Sequence, residues 1–150
     1  MITQTNTTTL SSDQQSALLY LIEEEKLAHD VYTTLYQQRW HQKFGNILQA
    51  EVQHHDIVAA LLSAYNITDP TINMEVGKFN DTQLQELYEK LIAQWSQSLE
   101  EAFAVGRTIE SKDITDIDEL MKLFNDYPDI LSTLTQLKNG SERHLQAFQK

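Results

Sequence analysis

The chain has 150 residues, the size of one domain, with 22 acidic against 11 basic side chains and a formal charge of −11. Such an acidic excess argues against a protein that tracks nucleic-acid phosphates or lies on an anionic membrane surface. The absence of cysteine removes disulfides, zinc fingers, iron–sulfur clusters and every thiol mechanism. No apolar run reaches the roughly 18 residues needed to span a bilayer. The N-terminal MITQTNTTTLSSDQQ lacks a basic segment followed by an apolar one, so a cytoplasmic protein is expected, with a removed signal peptide left open.

Glycine and proline together number six, which suits long helices. Residues 1–12 read as a flexible, Thr/Gln-rich tail, and 13–150 as one helical domain. Ser12 with Gln15 forms a capping-box pattern that opens a first helix over 13–38, with Leu18, Leu21, Ile22, Ala28, Tyr32 and Leu35 as its apolar face. Residues 39–45 read as a connection. Asn46 then caps a second helix over 46–65. Residues 66–80 hold Pro70 and Gly77 and read as a long crossover. Asp81 caps a shorter helix over 81–95. Ser98 with Glu101 opens a third main helix over 98–113, with a restart at Thr115. Pro128 sits where a helix start tolerates a missing N–H, and the fourth main helix follows over 128–149, with Asn139-Gly140 as a point of interruption. No strand pattern competes. The expected fold class is all-α, with four main helices, an additional short one, and a long crossover between the second and third main helices.

Each main helix carries an apolar stripe at steps of three and four that turns polar in its interior. The second gives Ile47, Glu51, His54, Val58, Leu61; the fourth gives Leu134, Leu137, Ser141, His144, Phe148. The third gives Leu99, Phe103, Gly106, Glu110, Asp113, Ile117; the first gives Leu18, Leu21, Glu25, Ala28, Tyr32. A lone buried carboxylate costs several kcal/mol unless it is compensated. No Lys or Arg lies on these stripes, so a cation is the expected compensator. Oxygen and nitrogen donors without thiolate suit iron or manganese and also accept zinc.

The spacing has a structural meaning, because Glu-x-x-His places both side chains on one helix face. Di-iron and di-manganese bundles take one Glu from each of two helices and Glu-x-x-His from each of the other two. Here Glu25 and Glu110 stand in the first pair of roles, and Glu51 with His54 supplies one Glu-x-x-His. His144 supplies the other imidazole, but Ser141 stands where the last Glu belongs. Asp113, one turn beyond Glu110, is the candidate substitute. A dinuclear site completed by Asp113 or water, a tight metal with a weak second, and a single metal all stay open. One geometric tension accompanies this reading. With these boundaries Glu25 and Glu51/His54 sit at levels roughly 8–12 Å apart at 1.5 Å per residue.

Residues 25–32, EKLAHDVY, resemble the first-helix motif of rubrerythrin and ferritin, and EVQH (51–54) resembles their second. EEEKLAHDVY (23–32), NILQAEVQHHD (46–56), SLEEAFAVGRTIESKDI (98–114) and GSERHLQAF (140–148) together more closely resemble an uncharacterised ferritin-like family of bacteria and archaea. The resemblance implies a ferritin-like four-helix bundle with a metal centre and no settled reaction. Ferritin and rubrerythrin suggest Fe(II) oxidation or peroxide reduction, though both carry Glu at the position of Ser141.

The resulting expectation is a metal centre held by Glu25, Glu51, His54, Glu110, Asp113 and His144, with di-iron preferred over manganese or zinc. Its chemistry would be oxidation of Fe(II) or reduction of O₂ or peroxide, with an external electron donor. Tyr32 reads as a donor to a ligand carboxylate or as core. Gly106 reads as a close approach of helices or as space for an oxidant, and Ser141 as such space, a small packing residue or a hydrogen-bond partner. His29 flanks the site or the surface, His55 faces a surface, and His41 has no role. Glu23 and Glu24 read as solvated surface, with Glu24 turned inward if the stripe is off by one residue, and Glu142 points about 100° away from Ser141, off the inner face, and ranks below Asp113 as its substitute. The other readings are a non-catalytic metal store and a metal-free helical module whose carboxylates meet a basic partner. A homodimer is left open.

Overall fold

The computed structural model describes residues 9–39 and 41–149, so most of the expected tail lies outside the described residues. Five helices follow in chain order: α1 (Ser12–Arg39), α2 (Gln42–Ala64), α3 (Thr82–Trp95), α4 (Leu99–Leu123) and α5 (Pro128–Phe148). No strand occurs among the described residues, so the all-helical expectation holds. No helix among them is long and apolar enough to cross a membrane.

Several boundaries differ from those read off the breakers. The capping box of α1 falls one residue early: Ser11 N donates to Gln14 Oε1 at 2.9 Å and Gln14 N donates to Ser11 Oγ at 3.1 Å. Leu10, just before it, is already buried. α2 starts at Gln42 rather than 46, capped by His41 rather than Asn46, because His41 Nδ1 accepts from Lys43 N at 3.2 Å. Gly45 therefore lies inside a helix. A Cβ there would meet the Tyr36 ring at 2.9 Å, so this glycine marks a close approach of α1 and α2, not a break. α4 runs unbroken past Thr115, whose hydroxyl donates to Ser111 O at 3.0 Å inside the helix. Asn139-Gly140 stays within α5.

These corrections reduce the level mismatch. Glu25 lies 14 residues before the end of α1, and Glu51 and His54 lie 9 and 12 after the start of α2, so they differ from it by about 8 and about 3 Å along the axes.

The helices close a ring in which α1 packs on α2, α2 on α5, α5 on α4 and α4 on α1, while α3 lies against α1 and α4. Two apolar clusters fill the ring. One contains Val31, Tyr32, Leu35, Phe44, Ile47, Val105, Ile109 and Phe148 and extends to Leu91 and Trp95 of α3. The other contains Leu18, Leu21, Ile22, Val58, Leu61, Ile117, Phe124, Leu134 and Leu137. The polar stripe positions form a layer between them.

Residues 66–80 cross from α2 to α3 and are anchored by charge. Lys26 Nζ, buried, donates to the carbonyls of Glu75 and Lys78 at 2.8 and 3.0 Å and pairs with Asp30 at 2.5 Å. Asp30 also accepts from Gly77 N at 2.9 Å. Glu23, expected on the surface, is buried instead and accepts from the backbone N–H groups of Asn80 and Asp81. Gly77 turns the chain at φ 80°, and a side chain there would strike the Tyr88 ring.

Candidate metal centre

In the polar layer each of the four ring helices contributes acidic or imidazole groups from the stripe that its own periodicity turns inward. Glu25, Glu51 and Glu110 are each 1% exposed, His54 is 7% and His144 is 8%. Glu51 lies at the middle. His54 Nδ1 is 3.2 Å from Glu51 Oε2 and 3.6 Å from Glu25 Oε2. His144 Nδ1 is 3.0 Å from Glu51 Oε1 and 3.3 Å from Glu110 Oε1. The two imidazoles stack with centroids 5.5 Å apart. Two triplets result, Glu25/Glu51/His54 and Glu51/Glu110/His144, each offering three ligand atoms within 4.8 Å of one another. Glu51 belongs to both.

Five of the six expected residues thus come together. Asp113 is buried nearby but stands outside both triplets, and its Oδ2 accepts from the Ser141 hydroxyl. Serine in place of glutamate therefore holds an aspartate of the facing helix. Tyr32, fully buried, donates from its hydroxyl to Glu110 Oε1 at 2.8 Å and also packs on Phe148 at 5.7 Å between centroids, so both readings of it hold.

Of the other expectations, some hold and some are overturned. Gly106 leaves no space for an oxidant, because a Cβ there would lie 2.6 Å from the Phe148 ring; it serves the close approach of α4 and α5 instead. Glu24 is buried, not solvated, since α1 is enclosed on every side over residues 21–28. His41 has a role after all, as the cap of α2. His29 lies beside Asp30 at 3.1 Å and His55 beside Thr71 at 2.8 Å, both away from the triplets. Glu142 is exposed as expected.

Sequence reasoning missed Gly140. A Cβ on it would lie 2.6 Å from His54 Cε1 and closer still to Nε2, so the α5 backbone closes over that edge of the ring. Only Nδ1 of His54 is left facing the carboxylates. The available signal is the Asn139-Gly140 pair, directly before Ser141 and four residues before His144, whose composition reads as a breaker.

The electrostatics follow from burial. Desolvation and the charge of Asp113 hold Glu25 well above the ordinary carboxylate range, against the pull of His54. Desolvation and Glu51 raise Glu110 to about 8. Burial also acts on Glu51, but the imidazoles of His144 and His54, at 3.0 and 3.2 Å, overcome it and bring it down to about 2. Burial would lower the imidazoles, yet their carboxylate partners raise His54 to about 10 and His144 to about 9. The carboxylates thus favour the protonated form of both imidazoles. Glu25 Oε1 and His54 Nδ1 still lack a well-formed hydrogen bond. A buried donor set with unsatisfied oxygens and nitrogen, crossed by no lysine or arginine, fits a divalent cation taking the place of those protons.

The family model described as "Uncharacterized protein domain (DUF2202)" matches residues 14–150. The uncharacterized protein MJ0754 of Methanocaldococcus jannaschii is 40% identical over 139 residues, covering 93% of this chain and 75% of that one. The crystal structure of that hypothetical protein superimposes with a TM-score of 0.89 over 93% of this chain and 79% of its own.

Proposed function

The chain belongs to the DUF2202 family, and we propose that it is a ferritin-like, metal-binding four-helix bundle that holds two divalent cations, preferentially iron. The observation that carries this reading is the pair of buried carboxylate–imidazole triplets sharing Glu51. Glu25, Glu51 and His54 would hold one ion, and Glu51, Glu110 and His144 the other. Bound as Fe(II), the pair would supply the electrons to reduce O₂ or peroxide, with an external donor to restore it in a chain without thiols.

The protein's own groups prepare the site in definable ways. Tyr32 fixes the Glu110 carboxylate by donating to Oε1. Gly140 sets the face of His54. Ser141 holds Asp113 beside the Glu25 side of the layer. The apolar clusters above and below exclude water, which strengthens ion–carboxylate attraction.

Non-catalytic metal holding is a second reading with an observation of its own. Both places expected to admit an oxidant are filled, Gly106 by Phe148 and Ser141 by its bond to Asp113. Burial of the carboxylates leaves none of the five ligand groups for a partner surface, which removes support from the interaction-module reading. Aerobic addition of Fe(II) separates the first two. Oxidation faster than in buffer, with iron retained on a desalting column, supports redox chemistry. Retention without accelerated oxidation supports holding, and no retention contradicts both.

A further inference from the structure

The α1–α4 face carries a chain of carboxylates that the two triplets do not use. A surface groove of about 250 Å³ runs between these helices, and Glu24 and Asp116 are among its lining residues. Glu24 forms its floor at 5% exposure. Its Oε2 lies 3.4 Å from Lys112 Nζ, and its Oε1 has no hydrogen-bond partner. Asp113 lies just behind, 5% exposed; one oxygen accepts from Ser141, and the other, Oδ1, has no partner. The Glu24 and Asp113 carboxyls lie within hydrogen-bonding reach of each other, and Asp113 has the same relation to Glu25. Glu24, Asp113 and Glu25 therefore connect the groove to the first triplet, each with an oxygen that no donor satisfies.

Facing buried carboxylates without a donor are strongly unfavourable unless a proton or a cation joins them. Lys112 compensates only the groove end: it pairs with Asp116 and takes Tyr20 Oη at 2.8 Å. Nothing cationic among the described residues reaches Asp113. The Glu24/Asp113 contact also lacks imidazole, whereas both triplets have one. Oxygen donors alone hold a transition-metal ion less tightly than mixed oxygen–imidazole sets do, which suits release more than retention.

We propose that Glu24 and Asp113 form a transit site through which divalent cations pass from the α1–α4 groove to the Glu25/Glu51/His54 position, with the Lys112 ammonium at its mouth between passages. This rests on the reading that the triplets hold metal.

Stopped-flow mixing of metal-free protein with Co(II), followed by cobalt absorbance, tests it together with equilibrium dialysis of the same samples. Glu24→Gln, nearly isosteric, is expected to load about ten-fold more slowly, since it replaces a cation-binding carboxylate oxygen on the path by an amide nitrogen that cannot bind a cation, while reaching the wild-type stoichiometry. Lys112→Met removes the competing cation and is expected to load faster than wild type. Wild-type rates in both variants would overturn the proposal and assign the Glu24–Asp113 contact to a shared proton. Loss of a cobalt equivalent at equilibrium in Glu24→Gln would also overturn it, by making Glu24 a resident ligand. Wild-type protein that binds no Co(II) would contradict the metal-centre reading itself, a result distinct from either of these.

Discussion

Glu51 is the one side chain that both triplets share, with an oxygen toward each imidazole at 3.0 and 3.2 Å. Replacing it by alanine is expected to abolish both metal positions, whereas Glu110→Ala is expected to leave one equivalent per chain, and metal titration reads the difference. Equal losses in the two variants would mean that the positions are not separate. Gly140 makes a subtler demand. Gly140→Ala should favour the helix by roughly 1 kcal/mol from propensity alone, yet its methyl group would displace the His54 ring. The expected outcome is loss of one metal equivalent from a protein that still folds, measured by dialysis beside circular dichroism. Retention of both equivalents would show that His54 tolerates the shift. The candidate ligands on one helix were legible because periodicity alone decides that Glu51 and His54 share a face. Gly140 against His54 and Glu24 against Asp113 were not, because each is a contact between helices whose rotation no single stripe reports.

At the scale of elements, the crossover is held by buried charge. Asp30 binds Lys26, His29 and Gly77 N together. Burial pushes its carboxyl upward, but bonds from His29, Lys26 and Gly77 outweigh that and leave it below the usual carboxylate range. A depressed carboxylate contributes stability that is full above its unfolded-state value and is lost as pH falls toward and through its folded one. Asp30→Asn also leaves Lys26 buried without its partner, so it is expected to cost about 3–5 kcal/mol at neutral pH. That difference should shrink in denaturant titrations as pH falls below the unfolded-state value of about 3.8. A difference independent of pH would mean that the carboxylate charge is not what anchors the segment. The crossover itself was legible from Pro70 and Gly77. Its anchors were not, because Glu23, Lys26 and Asp30 look like a solvated face until the crossover covers them. Breakers misled in the same way at Gly45 and Gly140, where the missing Cβ serves packing between helices.

At the scale of the whole molecule, seven acidic side chains among the described residues are buried against a single buried lysine, Lys26. The formal charge of −11 is therefore in good part an interior property and not only a statement about partners. The sequence disclosed this through stripes that are apolar at both ends and polar between, which became two apolar clusters with a charged layer separating them. If the proposed centre binds metal, metal is also a folding ligand. Binding at a hundredfold excess over Kd stabilises by about 2.7 kcal/mol per site. Chelation should then lower Tm by roughly 5–10 °C for each occupied site in a domain of this size, and differential scanning calorimetry with and without chelator checks it. An unchanged Tm would mean that the layer is satisfied by protons alone.

The most direct measurement is the metal content of the wild-type protein, purified without chelator, desalted and analysed by inductively coupled plasma mass spectrometry. The account predicts close to two equivalents of transition metal per chain, iron foremost, falling to none in Glu51→Ala. Metal-free wild-type protein that also stays empty after anaerobic Fe(II) addition would contradict it.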